Sequence, residues 1–195
     1  MSQAAQRSTG LHVAERGRSL AAAALIGVAV MAAVDEIVFH QLLGWHHFFD
    51  RSTLAVGLLS DGLLHTAELL ALVTGFVMWA DLRRRRALSA PHAWAGLLLG
   101  LGGFQLFDGV VDHKLLRLHQ IRNGVPDLLP YDLVWNGAGL VLLAGGVVLA
   151  VRAARATGGS AGARGATDDT PDDASGGAGE GPAGPAAPRP GGGGR

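Results

Sequence analysis

Two stretches of the chain place the same chemistry at the same spacing. Val34 to His47 reads VDEIVFHQLLGWHH, Phe107 to Gln120 reads FDGVVDHKLLRLHQ, and the aligned pair shares D-x-x-V-x-H-x-L-L-x-x-H. Aspartate and histidine are costly inside an apolar segment, so their coincidence with Val and a Leu pair reads as an internal repeat retained for a purpose. A further match follows, with Asp61-Gly62-Leu63-Leu64-His65 set against Asp132-Leu133-Val134-Trp135-Asn136.

Imidazole nitrogen together with carboxylate oxygen is the donor set of zinc, iron and copper sites, and histidine also holds haem iron. His40, His65 and His113 are the first candidate ligands, with Asp35, Asp61 or Asp108 as the carboxylate. Carboxylates left over can accept the second N–H of a ligating imidazole, a position that suits Asp112 beside His113. His46, His47 and His119 sit among Trp45, Phe48 and Arg117 and read as wetted interface first, ligands second. Glu36, Glu68 and Asp132 complete the set of secondary candidates. The chain has no cysteine, which removes thiolate metal sites, iron-sulfur clusters and disulfides.

The elements that must carry these residues are apolar segments over 20–43, 54–80, 93–116 and 133–151. Each is close to the roughly 17 to 25 residues that cross a hydrocarbon core, and each is apolar all round instead of striped. The expected fold is all-α, an integral membrane four-helix bundle made of two parallel two-helix repeats related by an axis along the bilayer normal. Its transmembrane domain covers 19–155, between a cytoplasmic segment at 1–18 and a disordered cytoplasmic tail at 156–195 rich in Gly, Ala, Pro and Asp. The first segment has features of a signal peptide, but its polar end recurs in the third, which cannot be one, so it is read as a helix.

Arg16 and Arg18, the run Arg83 to Arg86, and Arg152 with Arg155 all flank one side of the spans. The positive-inside rule then predicts two cytoplasmic termini in a bacterial plasma membrane, with Trp79 and Trp94 at the inner interface and Trp45 and Trp135 at the outer one. In that frame Asp35 and Asp108 lie about 22 Å from the cytoplasmic helix ends, so the polar cluster belongs to the outer half of the bilayer. A wheel at about 100° per residue projects Asp35 with His46, and puts Glu36, His40 and His47 on an adjacent stripe. Asp61, His65 and Glu68 share one face of the second span.

The 16 basic and 16 acidic residues balance, which gives no electrostatic case for nucleic acid. Lipid is the expected surrounding partner, and the glycines Gly27, Gly75, Gly100, Gly103, Gly137, Gly139 and Gly145 offer close helix approach within the bundle or in a homodimer. Four functions fit these residues: a non-enzymatic metal or haem binder, a metal-dependent intramembrane hydrolase, a proton or ion pathway, and a purely structural polar cluster. The hydrolase lacks any H-E-x-x-H signature, so an enzyme is the less favoured reading.

The stretches DEIVFHQLLGWHH, SDGLLHT, GGFQLFDGVVDHKLLRLHQI and YDLVWN together resemble a bacterial membrane-protein family catalogued as a domain of unknown function, 2243, over residues 20 to 155. The resemblance implies a four-helix membrane protein without an assigned activity. It also implies an association with respiratory oxidase assembly, which would favour copper or haem over hydrolysis.

Overall fold

The computed structural model describes residues 3–165, which form four helical spans and no strand. Helix α1 is Gln3–Val34 and widens without a break into a π-helical segment, Asp35–Leu42. Helix α2 is Leu54–Arg84, α3 is Ala90–Leu106 with a π-helical continuation over Phe107–Leu115, and α4 is Leu129–Gly165. All four are long and apolar enough to cross a membrane.

The helices run beyond the apolar segments because their polar flanks are rich in Ala, Arg, Glu and Gln, which favour helix whether or not lipid surrounds them. α1 therefore starts within the stretch expected to be a separate cytoplasmic segment, and α4 continues to Gly165, past the expected start of the tail. The remainder of that tail, 166–195, lies outside the described residues. Thr53 caps α2 by accepting the Val56 N–H, and a proline follows Ala90 in the first turn of α3.

α1 and α3 form the inner pair, α2 packs on the far side of α1, and α4 on the far side of α3. Small residues set this arrangement. A β-carbon on Gly27 would strike the Leu97 carbonyl oxygen and Gly100 Cα, while one on Gly100 would strike the Ala24 carbonyl and the Val28 nitrogen. Such contact is the main source of helix adhesion in lipid, which is as apolar as the side chains themselves. Gly75 against Ile26 and Gly146 against Leu99 repeat it at the flanks, but Gly103 and Gly137 face open space and contribute no such contact. The outer helices expose Leu63, Leu70, Phe76, Leu133, Val134 and Val141 to lipid, and the polar side chains turn inward.

The two π-helical segments decide where the chemistry goes. Bonds from Leu43 N–H to Val38 O (2.9 Å) and from Leu116 N–H to Val111 O (2.7 Å) span five residues instead of four. Widening brings residues five apart toward one face, so Asp35 meets His40 as well as His46, the partner expected from a regular α-helical wheel. Both segments end in the left-handed conformation, at Gly44 (φ 56°) and at the aligned Arg117 (φ 52°). Only the first is glycine; Arg117 holds a backbone that costs a side-chain-bearing residue about 1 to 2 kcal/mol.

Candidate metal centre

The loops after the π-helical segments fold over the end of the inner pair and clasp each other. Asp50 N–H donates to Leu118 O at 3.1 Å, and Asn123 N–H to Trp45 O at 3.0 Å. His46 and His119 ride on these loops and are driven inward, each only 3% exposed. His46 Nδ1–H donates to Ile121 O and His119 Nδ1–H to Phe48 O, both at 2.9 Å. In the neutral ring this bond fixes the tautomer in which Nε2 carries the lone pair, the form that binds metal.

Beneath them stand the helical residues. His40 Nε2 is 3.5 Å from Asp35 Oδ2, and His46 Nε2 is 3.8 Å from Asp35 Oδ1. The aligned residues repeat this, with His113 Nε2 3.2 Å from Asp108 Oδ2 and His119 Nε2 3.3 Å from Asp108 Oδ1. The rings of His46 and His119 stack at 4.6 Å, His40 packs edge-on to His46 at 4.5 Å, and His113 edge-on to His119 at 4.6 Å. Two overlapping groups result, His40 with His46 and His119, and Asp108 with His113 and His119; within each, one ligand atom per residue lies within 4.8 Å of the others.

The Nε2 atoms of His40, His46, His113 and His119 are all buried without a hydrogen-bond partner, as are His113 Nδ1 and Asp108 Oδ2. Buried polar atoms left unpaired cost about 1 to 3 kcal/mol each, so a cluster of them aimed at one another is an unusual expenditure of stability. Burial, with the neighbouring imidazoles of His119, His40 and His113, pushes His46 down to about 2 and keeps it neutral. Burial also lowers His119, but the adjacent Asp108 carboxylate outweighs it and leaves this imidazole above its ordinary value.

The other sequence candidates fall around this centre. His40 Nδ1 faces Glu36 Oε2 at 2.7 Å and Asp61 Oδ1 at 3.2 Å, while Gln41 Nε2 donates to the second Glu36 oxygen. Asp61 also pairs with His47 Nδ1 at 2.6 Å and accepts the Phe48 N–H at 2.7 Å, which ties the first loop to α2. His65 stands apart from His40 and His113, half exposed, with Nδ1 2.5 Å from Glu68 Oε1. Asp132 is engaged by Lys114 Nζ at 2.6 Å, and Asp112 is buried beside the cluster but outside its close groups. His46 and His119, read from sequence as interface, are placed at the middle by the crossed loops. The sign was already present, since both belong to the repeated D-x-x-V-x-H-x-L-L-x-x-H pattern.

A family model described as a predicted membrane protein (DUF2243) matches residues 22–153, a span that holds every candidate residue above. No curated protein and no solved structure matches.

Proposed function

The chain belongs to the DUF2243 family of membrane proteins, and from that premise we propose that it is a metal-binding membrane protein whose centre is Asp35, His40, His46, Asp108, His113 and His119. The observation that carries this reading is the set of four buried, unpartnered imidazole Nε2 atoms, two of them oriented by backbone carbonyls through Nδ1–H. Imidazole orientation of this kind is the usual outer shell of a metal site.

Nitrogen and carboxylate oxygen donors suit zinc, iron or copper(II). A bare ion fits better than haem, because direct ring packing at 4.5 to 4.6 Å leaves no slot for a macrocycle between the imidazoles. The near-complete burial of His40, His46, His113 and His119 favours holding or handing on an ion over hydrolysing a bulky substrate. The Arg-rich flanks support cytoplasmic termini, which would put the centre on the outer side of the membrane, where an ion destined for respiratory oxidase assembly would be handled.

Elemental analysis of the purified protein tests this. The expected result is at least one equivalent of a divalent transition metal, lost when His40 and His113 are replaced together by Ala. Protein that is metal-free as isolated and takes up no zinc, iron or copper on dialysis would refute it, and would leave the carboxylate and imidazole pairs as structural contacts between the helices.

A further inference from the structure

The Nδ1 side of His40 belongs to neither Asp-His-His set. There His40, Glu36 and Asp61, all buried, form a third group whose ligand atoms lie within 4.8 Å of one another. A groove of about 400 Å³ between the π-helical segment of α1 and helix α2 reaches this group, lined by Glu36, Gln41, Leu58, Asp61, Gly62 and His65. His65 stands at its rim, half exposed, paired with Glu68, and the other Glu68 oxygen is buried without a hydrogen-bond partner. Donor atoms therefore run from the exposed rim to one nitrogen of the His40 ring, whose other nitrogen faces the centre.

Among the described residues, the second half of the chain has no such run. Glu36 aligns with Gly109, and the space a side chain would need there is taken by Asn136 and Trp135. Asn136, at the position aligned with His65, donates to the Asp132 carbonyl, and the Asp132 carboxylate is held by Lys114. The corresponding place is filled and its charge is neutralised.

We propose that the groove is the port through which a divalent cation reaches the centre, with His65, Glu36 and Asp61 as transit donors and His40 as the ligand that passes the ion inward. The proposal rests on the metal-binding reading and explains how a closed centre is loaded, since a metal site needs a path as well as ligands.

The test uses full-length protein in detergent, stripped of metal and mixed with Co²⁺. Cobalt absorption follows the loading rate, and elemental analysis gives the final stoichiometry. A β-carbon at Gly62, in the lining of the groove, meets nothing within 4 Å, so Gly62→Leu adds a side chain there to narrow it. Gly62→Leu is expected to load about tenfold more slowly, and His65→Ala a few-fold more slowly, both to the wild-type endpoint. Gly137→Leu, at an equally open position on α4, keeps the wild-type rate. If both Gly62→Leu and His65→Ala load at the wild-type rate, the port is refuted while the centre stands. An unchanged rate with a lowered endpoint also refutes it, since the groove would then be a holding site. Wild-type protein that takes up no cobalt removes the centre and the port together.

Discussion

The imidazoles of His46 and His119 lie face to face, with centroids 4.6 Å apart and planes 6° from parallel. Each ring donates Nδ1–H to a carbonyl of the opposite loop, His46 to Ile121 and His119 to Phe48, so neither can turn away without breaking the clasp. Replacing His46 by Ala is expected to lower metal affinity at least 10- to 100-fold, the range seen when the support of a metal ligand is lost. Competition against a chromophoric chelator measures it.

Gly27 and Gly100 make the second prediction. Each would drive a β-carbon into backbone atoms of the facing helix, and backbone cannot step aside as a side chain can. Gly100→Leu should cost upwards of about 3 kcal/mol, read as a lowered unfolding midpoint in detergent. Gly103→Leu, three residues further along the same helix, has open space before it and should leave the midpoint nearly unchanged.

The spans and the identity of the polar residues were legible in the sequence because both depend on residue type alone. Four long apolar segments admit few alternatives to membrane helices, and Asp35, His40, Asp108 and His113 inside them could only turn inward. The convergence of His46 and His119 was not legible, because it depends on two loops crossing and on helices that widen before they end. The place of His65 was not legible for a related reason. It shares a helical face with Asp61, but at the half-exposed rim its ring pairs with Glu68, apart from His40 and His113.

In the metal-free protein, His46 and His119 should pull stability in opposite directions with pH. The folded state holds His46 at about 2, far below the 6.5 of an unperturbed imidazole, so its contribution is complete above 6.5 and is lost as pH falls below that value. The slope is about 1.4 kcal/mol per pH unit for one group. His119 is raised, so its contribution is complete below 6.5 and is lost as pH rises through its folded value. Thermal unfolding of stripped protein is expected to be highest near pH 6.5, and His46→Phe should flatten the acid limb. An acid limb unchanged by that substitution would refute this assignment.

Asp35 and Asp108 allow the strongest separation of shared from unshared roles. Each bridges two Nε2 atoms, His40 and His46 in one case and His113 and His119 in the other, at 3.2 to 3.8 Å. If the duplicated sequence means that the two halves serve one centre, Asp35→Asn and Asp108→Asn should weaken metal binding by similar factors, within about threefold of each other and each about tenfold or more below wild type. Glu36→Gln has no such counterpart, because Gly109 stands at the aligned position. It should weaken equilibrium affinity less than either aspartate variant, since Glu36 meets His40 through Nδ1 and a glutamine side-chain oxygen can still accept that N–H. Isothermal titration of the three variants with zinc measures all three affinities, and a large difference between the two aspartates would refute an equal division of the centre between the halves.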